Sequence, residues 1–181
     1  NTAWGVSVTG VMIFNALSGD QVDPFYPPTQ YNGRSNPPVE KVDKCLAHPQ
    51  VWGVFHYHVA STCIADPEKY ENMGRGKENK LGDIKEEIKS AYSMMPYRSV
   101  FGISKDGRPI YTPMYDGGKT YQDCEVDICN GLDINGHYSY VSTMFHPYVI
   151  GCYGKGKGPE NSFHQCSTNP RMCGDNLKFE E

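Results

Sequence analysis

Seven cysteines, Cys45, Cys63, Cys124, Cys129, Cys152, Cys166 and Cys173, restrict what this 181-residue chain can become more than any other feature of its sequence. None of them forms a CxxC pair, so the ligand spacing of a zinc ribbon or finger is missing. Disulfides made in an oxidising compartment account for the count better. The number is odd, which leaves one thiol unpaired or one bridge to another molecule. The sequence starts at Asn1 without an initiator methionine or an apolar leader, as expected of a mature secreted product or a trimmed chain. No Asn-x-Ser/Thr sequon occurs, so N-glycosylation is not expected.

A chain of this length buries roughly two-thirds of the surface its unfolded form exposes, enough for one core and one domain. The net charge of −4, with no basic stripe among the aromatics, gives no electrostatic reason to hold nucleic acid. Its apolar runs, Val11 to Phe14 among them, stay far below the ~20 residues of a membrane-spanning helix. Arg75 to Lys89 mixes both signs and reads as a solvated helix with its approach.

Hydrophobic periodicity is short-ranged. Trp4 to Ser7, Val11 to Asn15, Val51 to Ala60, Arg98 to Ile103, Ile110 to Tyr111, Tyr138 to Thr143 and Tyr148 to Tyr153 suit brief strands rich in β-branched and aromatic residues. Asp106-Gly107-Arg108-Pro109, Asp116-Gly117-Gly118 and Asn135-Gly136 supply turns between them. One helix is expected near residues 81–94, where Ile84, Ile88 and Tyr92 recur at fourfold spacing, Asp83 lies near the start and Pro96 follows the end. Asp23 to Pro38, with its prolines, reads as an extended surface loop. The expected fold is therefore mainly β: a single disulfide-stabilised sandwich or barrel-like domain with one helix. It spans residues 1–153, and a Gly/Lys connector and cysteine-bearing tail, residues 154–181, pack on the same domain.

The segment Val54-Phe55-His56-Tyr57-His58-Val59 carries the most chemical information. Alternate side chains of a strand share a face, so His56 and His58 point together and can hold one metal ion. The competing reading makes them hydrogen-bonded structural histidines. A tight copper or zinc site wants three or four ligands, and the further candidates are His48, His137, His146 and His164. Met94, Met95 and Met144 offer thioethers suited to copper, against the commoner role of methionine in core packing. Asp123, Glu125, Asp127, Asn130 and Asp133 have the oxygen richness that calcium prefers but not the EF-hand pattern; the alternative is a loop whose side chains cap their own backbone. No Gly-x-Ser-x-Gly elbow, P-loop or dinucleotide fingerprint occurs, and oxidised thiols make poor nucleophiles.

Taken in order, several segments together resemble the YHYH domain family of secreted and cell-surface proteins. They are Gly10 to Leu17, Val42 to Cys45 with His48-Pro49, Phe55 to His58 followed by Cys63, Gly102 to Tyr111, Asp127 to Gly131, Gly136 to Tyr140 and Pro147 to Cys152. The resemblance implies a metal-binding role through the histidines and the pairings Cys45 with Cys63 and Cys129 with Cys152. Cys166 would then close a local bridge to Cys173, with Cys124 left over. The family repeats its tyrosine-histidine alternation near the C-terminal end, whereas this chain reads His137-Tyr138-Ser139-Tyr140 there. A site built on two such pairs would be incomplete unless His48, His137 or His146 compensates.

Three functional readings follow. The first is a secreted, extracellular metal-binding protein with copper or zinc on His56 and His58. The second is an extracellular structural or recognition protein that meets a protein partner, or forms a disulfide-linked dimer, through tyrosine-rich surfaces and the odd cysteine. The third is a copper-dependent oxidative enzyme, which needs an open coordination position.

Overall fold

A computed structural model of the chain describes residues 3–65, 83–93, 97–157, 166–169 and 171. Twelve short strands form among them: β1 Ala3–Ser7, β2 Met12–Phe14, β3 Gln30–Tyr31, β4 Arg34–Ser35, β5 Ala47–Pro49, β6 Phe55–Tyr57, β7 Val100–Ser104, β8 Pro109–Tyr111, β9 Met114–Tyr115, β10 Lys119–Thr120, β11 Gly131–Ile134 and β12 His137–Val141. Eight of them make one open sheet in the order β11-β12-β8-β7-β1-β2-β6-β5. The pairs β12–β8 and β2–β6 are parallel and the others antiparallel. The chain is mainly β as expected, and the sheet ends in two edges, β11 and β5, instead of closing into a barrel.

One face of the sheet builds the core. Ile13, Tyr57, Phe101, Ile110 and Tyr140 bury themselves there in one cluster with Ile84, Ile88 and Tyr92 of the helix. That helix spans Asp83–Tyr92, and its fourfold spacing places the three apolar residues on a single stripe, as the sequence predicts. The Tyr92 hydroxyl, carried into the core by its ring, donates to the Ser61 carbonyl at 2.7 Å. No helix among the described residues is long and apolar enough to cross a membrane.

Three segments depart from expectation. Val51–Ala60 is not one strand: Val51 to Gly53 turn the chain, with Gly53 at φ 80°, and β5 pairs with β6 across that turn. Tyr148–Tyr153 is not a strand either. Tyr148 has φ 63°, outside strand geometry, and its N–H donates to Phe145 O at 2.9 Å while Gly151 N–H reaches Cys129 O at 3.1 Å. The apolar run there reflects burial in the core without a ladder. Asp23 to Pro38 dips inward before it surfaces, since Asp23 and Phe25 are fully buried. Asp23 Oδ1 accepts the N–H groups of Phe25 and Tyr26, and Oδ2 accepts the hydroxyls of Tyr148 and Ser167. Beyond it, β3 and β4 form a small hairpin over Asn32-Gly33.

The disulfides Cys45–Cys63 and Cys129–Cys152 form as the family resemblance implies. The remaining assignment is reversed: Cys124 is disulfide-bonded and Cys166 is a free thiol, while Cys173 lies outside the described residues. Cys166 is fixed on the domain, its carbonyl receiving the Asp23 N–H at 2.7 Å and its thiol meeting the Tyr31 hydroxyl. It is held by these contacts where a local bridge was expected.

Further along this segment, Arg171 reaches Asp123 at 2.5 Å, with both side chains almost fully buried, and also donates to the carbonyls of Val126 and Asp127. Removing one member leaves the other charge buried and unpaired, which costs more than removing both. We expect Arg171→Ala to lower unfolding free energy by about 3–5 kcal/mol. The double variant Arg171→Ala/Asp123→Ala should recover part of that loss, as measured by denaturant titration.

Candidate metal centre

The pleat that sends Ala47 and Tyr57 into the core sends their neighbours to the opposite face. Ala47 pairs with Tyr57 and His48 with His56 in the β5–β6 register, so the last two stand directly across from each other. His58 follows His56 by two residues and shares its face. One nitrogen or more of each ring converges: His48, His56 and His58 each offer a ligand atom within 4.8 Å of the others, and together they could hold a metal ion. Ring centroids are 4.3 Å apart for His48–His56, 5.1 Å for His48–His58 and 4.8 Å for His56–His58. Phe14, arriving from the adjacent β2, stacks on His56 at 4.0 Å and meets His58 edge-on.

Hydrogen bonds assign the protons. His56 Nδ1 lies 3.1 Å from Val54 O, and His58 Nδ1 lies 2.6 Å from Asn15 O. A carbonyl only accepts, so each Nδ1 is the protonated nitrogen of its ring. The two Nε2 atoms then face each other at 3.1 Å. A proton between them would make one ring cationic, and burial opposes that: it pushes His58 down to about 3 and also lowers His56, with the neighbouring imidazoles adding to both effects. Two buried lone pairs are left aimed into the same space. A metal ion held here would take its donors from these two nitrogens, which are of the type that borderline divalent ions accept.

His48 completes the group. Its side chain is largely buried, its Nδ1 stands 3.5 Å from Glu40 Oε2, and its Nε2 is buried without a hydrogen-bond partner. Burial lowers its pKa too, against the pull of Asp43. Three neutral imidazoles, each with Nδ1 turned to an oxygen, are the donor set that borderline divalent ions prefer.

The other sequence candidates lie elsewhere. His137 is exposed at the start of β12, with four strands between it and β6 in the sheet. His146 is buried beside the cluster, where its Nε2 donates to Ala16 O at 3.0 Å, but it is not one of the converging group. Met144 packs in the core. His164, Met94 and Met95 lie outside the described residues.

The acidic residues are engaged one by one. Asp123 binds Arg171, Glu125 accepts from Tyr115 and Gln122, Asp127 accepts from Cys129, Gly131, Tyr138 and Gly156, and Asp133 meets Lys155. Asn130 spans three backbone and side-chain acceptors. Among the described residues they form no converging group of ligands.

Sequence reasoning leaves the third ligand open among four histidines and misses Glu40. The signal for His48 was the turn at Val51 to Gly53, because a hairpin folded about Trp52 sets residues 48 and 56 opposite each other. Nothing in the spacing marks Glu40. In metal-stripped protein at neutral pH, nitrogen-15 NMR of the imidazoles should find His56 and His58 in the Nδ1–H form, with Nε2 bare. The opposite tautomer on either ring would contradict the proton assignment.

Comparison with known proteins finds no matching curated protein and no matching solved structure. A family model described as YHYH protein matches residues 1–124, a stretch that contains β5, β6 and all three converging histidines. That match covers most of the sequence, and the chain belongs to the YHYH protein family.

Proposed function

We propose that this is an extracellular metal-binding protein whose His48, His56 and His58 hold one copper or zinc ion. The observation that carries the reading is the pair of buried Nε2 atoms 3.1 Å apart, both ring protons being committed to carbonyls on the far side. Structural histidines would use those nitrogens on protein donors; here they face each other. The disulfides Cys45–Cys63 and Cys129–Cys152, with a bonded Cys124, support an oxidising, extracellular setting.

Copper is supported by Met12, the parallel neighbour of His56 on β2, whose side chain lies on the sheet face that carries the imidazoles. Zinc accepts the same nitrogens. When bound, either ion supplies Lewis acidity, and copper also supplies one-electron redox chemistry. The protein's part is to hold three imidazoles neutral, orient their lone pairs inward and pack an aromatic ring against them.

A recognition role keeps one observation in its favour. The hairpin between β5 and β6 presents Val51, Trp52, Val54 and Phe55 to solvent, and Trp52 is 85% exposed. Large apolar side chains gathered at one tip are a common feature of contact surfaces.

Elemental mass spectrometry separates the two. We expect about one copper or zinc per chain in native protein never exposed to chelator, lost in a folded His56→Ala/His58→Ala variant. Native protein without metal, and unable to take up either ion when supplied, would defeat the metal reading and direct work to the hairpin tip.

A further inference from the structure

The three rings are pinned unequally. His56 and His58 turn their Nδ1 protons to the neutral carbonyls of Val54 and Asn15. His48 faces an anion instead, with Nδ1 3.5 Å from Glu40 Oε2. Glu40 comes from outside the hairpin, and backbone contacts set its place: its own N–H donates to Pro24 O at 2.7 Å, and the Gly19 N–H donates to its carboxylate. The other carboxylate near His48 is Asp43, whose Oδ1 is occupied by the N–H groups of Cys45 and Ala47.

Resting on the metal reading above, we propose that Glu40 is the positioning residue of the site. Its carboxylate accepts the Nδ1 proton of His48 and thereby directs the buried Nε2 towards the ion shared with His56 and His58. The present 3.5 Å separation is longer than a formed hydrogen bond. A cation on Nε2 would draw charge from the ring and strengthen Nδ1–H as a donor to the Glu40 carboxylate. The carboxylate in turn makes the ring a better ligand and offsets part of the ion's charge, neither of which the two carbonyls does to the same extent. Glu40 acts through His48 and does not touch the ion. Glu40 stands eight positions ahead of His48 in the chain.

The test uses the full chain as wild type, Glu40→Ala and Glu40→Gln. Each is titrated with Zn²⁺ against a chromophoric chelator and loaded with one equivalent of Cu²⁺ for electron paramagnetic resonance. We expect Glu40→Ala to bind Zn²⁺ about 10–100-fold more weakly. Glu40→Gln, which keeps an acceptor oxygen but loses the charge, should fall between the two. The copper hyperfine splitting should shift in both variants, while the circular dichroism of the metal-free proteins stays unchanged. A purely structural Glu40 would neither grade the variants by acceptor strength nor move the copper spectrum.

Zn²⁺ affinity of Glu40→Ala within about twofold of wild type, with an unaltered copper spectrum, overturns the proposal and leaves the metal reading standing. Wild-type protein that binds neither ion defeats the metal reading, and this inference with it. Where Glu40→Ala fails to fold, Glu40→Gln decides: wild-type affinity and spectrum overturn the proposal, and weaker binding with a shifted spectrum supports it.

Discussion

The pairing of β5 with β6 is the constraint on which the site depends. In that register Ala47 and Tyr57 enter the core while His48 and His56 emerge together on the other face. A slip of one residue would drive imidazoles into the apolar cluster and expose the tyrosine, so core burial itself locks the imidazoles in place. β2 reinforces the arrangement from the side, because Ile13 pairs with Tyr57 in the core and Phe14 lies against His56 above it. The chemistry of one face is fixed by the hydrophobicity of the other.

Strands this short do not hold a domain by themselves, and the loops carry an unusual share of the structure. Buried Asp23 gathers two N–H groups and two hydroxyls from segments far apart in sequence, joining the Pro-rich stretch to Tyr148 and Ser167. Asn130 and Asp127 do the same around the Cys129–Cys152 bridge. These side chains stand in for the ladder bonds that longer strands would have made. Their alternation with apolar residues in sequence is what makes such segments look like loops or strands when read by composition alone.

What the sequence discloses follows from how local each cause is. Ile84, Ile88 and Tyr92 declare the helix because their spacing is that of one turn, and Asn135-Gly136 declares the β11–β12 hairpin because both residues take positive φ. The shared face of His56 and His58 is equally local. His48 is less legible because Val51 and Trp52 have strand-like side chains yet sit in a turn, where the left-handed Gly53 decides the outcome. The burial of Asp23, the free thiol at Cys166 and the place of Glu40 are set by contacts across the fold, and no short window of sequence contains them.

All three converging histidines lie within residues 48–58, on a single hairpin. Loop closure over so short a stretch takes roughly 10–100 ns and costs little chain entropy compared with the long connections elsewhere in the sheet. The three imidazoles can therefore meet before the distant strands β7, β8, β11 and β12 have paired. Under the proposed metal reading, an ion captured at that stage would act as a temporary cross-link, holding the β5–β6 register while the chain around it is still searching.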